Sequence, residues 1–243
     1  KLFVWTVDSP ADIQNFIALG VDGIISNDPA SVRGQQVAVT NPPTHLSDRL
    51  VAYWKFDDGM TNAFTTTVSD SRGTNTGMLV RNDGASHWFD GSLAKLGGCL
   101  KLEGANAYVT ITQAAILDIK TNALSFSAWV WLTTLPSQLT ANFGAIYDST
   151  NDSYVLYVDK VNKELRFKVT DANGHAARPG IPEANLKTNQ WLHIVATYSG
   201  RETAAAGRTT IYLNGQISDA HPGNDGTFPV GLTNNVKPGQ IAG

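Results

Sequence analysis

The sequence predicts a mainly β chain, an antiparallel two-sheet sandwich of jelly-roll type preceded by a short βαβ unit. Three observations predict it. From Leu50 onward, short apolar runs are punctuated by Gly, Asn, Asp and Pro. Asn214-Gly215 stands between Thr210-Ile211-Tyr212-Leu213 and Gln216-Ile217, the pattern of a type I′ hairpin, in which both central residues need positive φ. No run after residue 50 carries a convincing helical period. Many strands joined by tight turns bury a core only when two sheets face each other or a sheet closes on itself.

The elements follow in order. Leu2-Phe3-Val4-Trp5-Thr6-Val7 is an apolar run of strand length. Ser9-Pro10-Ala11-Asp12 reads as a helix start, with Ser9 as N-cap, Pro10 at the first helical position and Asp12 three residues on. Ile13, Phe16 and Ile17 then share one helical face, and Gly20 suits the stop. Val21 to Ser26 is a second buried strand, so the pairing is parallel. Such a unit has a sheet exposed on both faces and needs more structure against it. Residues 35–49, with Pro42-Pro43 and few large apolar side chains, read as an extended linker. Residues 50–243 form the sandwich. Leu50 to Phe56 is its first strand, and Leu124 to Leu132 alternates, with Phe126, Ala128, Val130 and Leu132 on one face. Tyr154 to Asp159 and Glu164 to Thr170 make a hairpin closed by Lys160-Val161-Asn162-Lys163, and Trp191 to Ser199 is another long strand.

Composition narrows the function. Hydrophobic residues at 42% against 16% charged give a globular balance with enough apolar surface for a core. A net charge of −3 provides no electrostatic reason to expect nucleic acid or an anionic membrane. No apolar run approaches the length of a membrane span. No charged-then-apolar leader opens the chain, so a secretion signal, if there is one, is expected upstream. Cys99 is the one cysteine, which leaves no intrachain disulfide. Its apolar neighbours predict a buried, inert thiol.

Four stretches carry a resemblance to a known family. They are Leu50 to Gly59, Val68 to Gly77 with Asp70-Ser71-Arg72-Gly73, Leu96-Gly97-Gly98-Cys99-Leu100-Lys101-Leu102-Glu103-Gly104, and Trp191-Leu192-His193-Ile194-Val195 followed by Ile211 to Gly215. In this order they resemble the laminin-G-like, concanavalin-A-like jelly-roll domains, over roughly residues 46–243. That family closes with a further strand pair, which this chain lacks on its sequence pattern, so a missing or open sheet edge is expected. A second resemblance lies in Val4-Trp5-Thr6-Val7-Asp8-Ser9-Pro10-Ala11-Asp12 and Leu19-Gly20-Val21-Asp22-Gly23-Ile24-Ile25-Ser26-Asn27-Asp28-Pro29. These are similar to the last strands of a glycerophosphodiester phosphodiesterase barrel, over residues 1–33, with Asn27 where that family has Asp. The likeness implies that residues 1–34 are the C-terminal piece of a (β/α)8 barrel from an enzyme of lipid metabolism. Its catalytic residues are expected outside this chain.

Each candidate site residue also has a plainer structural role. The phosphodiesterase likeness implies that Trp5 lines the substrate pocket of the intact enzyme, the alternative being a core Trp. Asp57, Asp58, Asp70 and Asn75 lie in two turns that the jelly-roll likeness brings together. Loop carboxylates and amides are what a structural Ca²⁺ uses, while Asp and Asn also close turns on their own backbone. Trp129 and Trp131 share a strand face with Ser125 and Ser127, opposite Phe126. Exposed, they would stack on sugar rings; core packing is the default reading. His45, His87, His175, His193 and His221 show no metal spacing, and His193 reads as a surface or satisfied polar residue. Asp57 with Asp58, or Glu103 with Asp90, would be glycosidase pairs, but the Glu-x-x-x-Glu-type run of the fold's hydrolases is missing.

The expected function is therefore a non-catalytic accessory module that binds glycan or a cell-surface partner, extracellular or periplasmic, joined to a phosphodiesterase. The alternatives are a portion of the enzyme itself, with the active site elsewhere, and a structural brace.

Overall fold

The computed structural model describes residues 3–5, 9–18, 23–25, 27, 50–60, 62–85, 87–90, 93–102, 107–111, 117, 123–149, 153–171, 173–199, 208–221 and 239–241. The chain divides into two units, Lys1–Val51 and Ala52–Gly243. The predicted linker lies outside the described residues.

In the first unit, β1 (Phe3–Trp5) and β2 (Gly23–Ile25) flank α1 (Pro10–Ala18). The two strands pair in parallel, Phe3 opposite Gly23 and Trp5 opposite Ile25. Ser9 caps the helix as its sequence predicts. Its Oγ accepts from the Asp12 amide at 3.5 Å, a donor otherwise orphaned in the first turn, and its carbonyl accepts the first helical bond, from the Ile13 amide at 2.9 Å. Ile13 is fully buried.

The second unit contains the strands β3 (Thr67–Val68), β4 (Gly77–Arg81), β5 (Trp88–Phe89), β6 (Cys99–Leu100), β7 (Ala107–Ile111), β8 (Ala123–Trp131), β9 (Phe143–Asp148), β10 (Tyr154–Asp159), β11 (Glu164–Thr170), β12 (Ala176–Ala177), β13 (Gly180–Pro182), β14 (Trp191–Ser199), β15 (Arg208–Leu213), β16 (Gln216–His221) and β17 (Gly239–Ile241). They form a larger sheet of order β12-β11-β10-β9-β17-β7-β4-β3, with β13 also on β11, and a smaller sheet of order β16-β15-β14-β8. A separate β5–β6 hairpin completes the set. Every pair in this unit is antiparallel.

The core lies between the two sheets. Strand alternation turns Leu79, Val109, Leu156 and Phe167 of the larger sheet and Leu192, Ile194 and Ile211 of the smaller one inward, all at 2% exposure or less. Burying each such side chain contributes about 2 kcal/mol of transfer free energy. Phe126 on β8 bridges the layers, with its ring 5.3 Å from Tyr147 and 6.5 Å from Phe167. The two-sheet antiparallel sandwich predicted from the sequence is thus the observed fold. Both predicted hairpins form with the predicted bounds at their turns. Asn214 and Gly215 have φ of 50° and 83°, as a type I′ turn requires.

One expectation is corrected. Leu50 to Phe56 does not form a ladder strand. Trp54 makes an isolated bridge to Asp70, the Tyr53 amide is captured by the Asp70 carboxylate, and Phe56 has φ 60°, which interrupts extended backbone. The expected open edge is found at β8, which ends the smaller sheet and pairs only with β14 among the described residues. β17 lies inside the larger sheet, pairing with β7 on one side and β9 on the other. Three residues beginning with glycine carry too little alternation to be recognised as a strand.

Candidate functional site

The outer face of the smaller sheet carries an exposed aromatic cluster. It arises because β8 and β14 pair in the register Trp131↔Trp191, His193↔Trp129 and Val195↔Ser127. Residues directly opposite on one face of an antiparallel pair touch, so four large rings meet at one end of the sheet. Trp129 and His193 stack with centroids 4.7 Å apart at 28°. Trp131 and Trp191 meet edge to face, 5.7 Å apart at 74°. Trp129 is 42% exposed and Trp131 37%. The core-packing reading of this pair is corrected here: the Phe126 side of β8 faces inward, so period-2 alternation turns both Trp residues to solvent.

Polar groups frame the rings. Ser127 Oγ lies 3.0 Å from His193 Nε2. The His193 amide donates to Asn214 Oδ1 at 2.9 Å and its carbonyl accepts from the Asn214 amide at 2.8 Å, tying the ring's strand to the type I′ turn. Burial lowers the His193 pKa, so the ring stays neutral at physiological pH. Lys95 Nζ sits 4.5 Å from the Trp129 ring centroid, a cation–π distance. The loop bearing Lys95 is held three residues further on. The Gly98 amide donates to Asp57 Oδ1 at 2.7 Å, and Gly97 has φ 63° with Asp57 Oδ1 2.5 Å from where a Cβ would stand. That contact requires glycine at 97, and a Cβ at Gly98 would stand 2.6 Å from the Phe56 carbonyl oxygen.

Asp70 organises a second cluster. Its Oδ1 accepts from the amides of Tyr53 at 2.8 Å and Arg72 at 2.9 Å, and its Oδ2 from the Asn75 amide at 3.2 Å and Asn75 Nδ2 at 2.7 Å. The Asn75 carbonyl in turn accepts from Trp54 Nε1 at 2.8 Å. Burial alone would raise the Asp70 pKa, but the hydrogen bonds from Tyr53, Arg72 and Asn75 outweigh it and hold it below the ordinary carboxylate value. Asp58 Oδ2 accepts from the Ser69 amide at 3.1 Å. The carboxylates of Asp57, Asp58 and Asp70 thus all serve backbone amides. Among the described residues, no three His, Cys, Asp or Glu side chains form a group that could hold a metal ion.

The remaining sequence candidates disperse. Trp5 ends β1, and its side chain is outside the described residues, as are Glu103 and His45 and the side chain of His221. His87 is buried between Lys101 O at 3.1 Å and Asp83 Oδ1 at 3.0 Å, and His175 lies 2.9 Å from Asp171 Oδ2. Both serve local turns. Cys99 is half-buried, with Sγ 3.7 Å from Leu93 O. Burial, reinforced by Asp90, raises its pKa and keeps the thiol protonated. His193 is the satisfied polar residue its sequence suggested, bonded to Ser127, while sequence reading missed Lys95 and Trp191. The cross-strand register that brings Trp191 to Trp131 joins strands about sixty residues apart, and Lys95 comes from a separate loop, so neither leaves a local signal.

No curated protein matches the chain. Among solved structures, the binding domain of Paraclostridial Mosquitocidal Protein 1 superposes with TM-score 0.53 at 16% identity, covering 72% of this chain and 41% of that one. The receptor binding domain of botulinum neurotoxin C/D mosaic serotype gives TM-score 0.50 at 16% identity, covering 72% and 40% respectively. At such identities the likeness is one of fold, and the chain spans about two fifths of those proteins. Residues 1–30 match the glycerophosphoryl diester phosphodiesterase family. Residues 103–238 match the Concanavalin A-like lectin/glucanases superfamily; with those residues folded as an antiparallel sandwich, the chain belongs to that superfamily.

Proposed function

We propose that the sandwich is a non-catalytic module that binds a glycan on a cell surface or extracellular partner through the aromatic face of β8 and β14. It is carried C-terminal to a glycerophosphodiester phosphodiesterase, whose final strands are represented by residues 1–30. The exposure of Trp129 and Trp131 carries the reading. Large rings turned to water on a sheet face have an unburied apolar surface and a π face, which suit the C–H face of a pyranose. Neighbouring Ser127, Tyr212 and Asn214 can supply hydrogen bonds. A binding rather than hydrolytic role is supported by the residues of that face, which include no carboxylate among the positions paired between β8 and β14. The fold's occurrence in a receptor binding domain is consistent with a module that localises its carrier outside the cell.

A glycan array tests the proposal, with wild-type chain beside Trp131→Ala and Trp129→Ala. Both rings are exposed, so the variants are expected to keep the wild-type circular dichroism and melt. Binding to the preferred glycans should fall about tenfold or more, as loss of a buried aromatic anchor does at an interface. Wild-type binding that both variants retain would overturn the assignment of the face. Hydrolysis of a glycerophosphodiester by this chain would overturn the non-catalytic reading.

A further inference from the structure

Lys95 is the single fully charged side chain that meets the aromatic cluster among the described residues. Its ammonium lies 4.5 Å from the Trp129 ring centroid. The outward-facing positions paired between β8 and β14 are Trp, Ser, His, Val, Thr and Ala, so none offers it a carboxylate. His193, beside Trp129, is held neutral by burial and does not duplicate the charge. The backbone of its loop is anchored through the Gly98 amide to Asp57 Oδ1 at 2.7 Å, which keeps the Lys95 stem beside the ring. A ring face binds any pyranose with little discrimination. A cation at its margin rewards a ring that carries a negative group.

From this juxtaposition we infer that the aromatic face selects acidic saccharides, with Lys95 as the specificity residue that pairs with the sugar's carboxylate or sulfate. The inference rests on the glycan-binding reading above and names the chemical class of its ligand. The pyranose stacks on the exposed Trp surface, and its anionic substituent replaces water around the Lys95 ammonium.

Titration calorimetry with matched pairs of sugars tests it. One arm uses oligogalacturonate against its fully methyl-esterified form, and a second uses sulfated against unsulfated oligosaccharides of the same ring sequence, so that carboxylate and sulfate are told apart. The wild type is expected to bind the acidic member of at least one pair about tenfold more tightly, the worth of one charge-assisted contact. That preference should shrink as salt rises. Lys95→Gln should abolish the preference, read as the ratio of acidic to neutral affinity within each pair. A wild type that binds acidic and neutral members equally, or a Lys95→Gln protein that keeps the preference, overturns the inference and leaves the aromatic face standing. A wild type that binds no sugar in either arm or on the array overturns the glycan reading and this inference with it.

Discussion

Replacing Asp70 by alanine removes four hydrogen bonds at once. Two come from the amides of Tyr53 and Arg72 to Oδ1, and two from the amide and side chain of Asn75 to Oδ2. Asp70 is 7% exposed, so the amides it leaves behind are only partly open to water. A hydrogen bond to a charged group is worth about 1.5–3 kcal/mol. The four share two oxygens, and removing the carboxylate also relieves its own desolvation, so the net loss is expected near 3 kcal/mol rather than the sum. For a domain of this size that lowers Tm by roughly 6–12 °C. Asp70→Asn should lose about half as much, because its carbonyl can still serve Tyr53 and Arg72 while its NH₂ faces the Asn75 donors. The Asp70 pKa lies below its ordinary value of 3.8. Its contribution is therefore complete above that value and is lost as pH falls through the lower folded-state pKa. The assay is urea or thermal unfolding of wild type and Asp70→Ala at pH 7 and in steps down to pH 2. The gap between the two should be full at neutral pH and close at the acid end. A difference under 1 kcal/mol at pH 7, or a gap unchanged by acid, would refute the account of Asp70 as an amide-binding lock.

Two further outcomes follow from the interior and the turns. Thr209 is fully buried, and its Oγ1 meets no hydrogen-bond partner among the described residues. Thr209→Val keeps the shape and removes a desolvated hydroxyl, so it should raise stability by about 1 kcal/mol in chemical denaturation. A destabilised Val variant would show that the hydroxyl is satisfied. Addition of Ca²⁺ or of a chelator should leave Tm unchanged, since Asp57, Asp58 and Asp70 are occupied by backbone amides. A calcium-dependent rise in Tm, measured by calorimetry, would show that these turns rearrange into a cation site.

Much of the fold was legible in local sequence. Asn214-Gly215 announced its hairpin because few residues accept positive φ at two successive positions. Lys160 to Lys163 closed the second hairpin, and the alternation of Leu124 to Leu132 separated Phe126 from Trp129 and Trp131. What the pattern of β8 could not say was which face looks outward, since both carry large apolar side chains. Leu50 to Phe56 read as a strand on composition, but it lies across a turn whose Asp70 captures the Tyr53 amide. β17 was invisible for the opposite reason: its three residues have no alternation, and only the gap between β7 and β9 makes them a strand.

By itself the sequence determined the fold class, the helix cap at Ser9, the hairpin turns and the residue types available for stacking, because periodicity and turn chemistry act over a few neighbouring residues. The tertiary structure alone decided that Trp129 and Trp131 face water, that His193 and Trp191 stand opposite them, and that Lys95 reaches the Trp129 ring. Those facts depend on register and sheet packing between distant segments, and such pairings are selected by the burial of the opposite face rather than by any local motif.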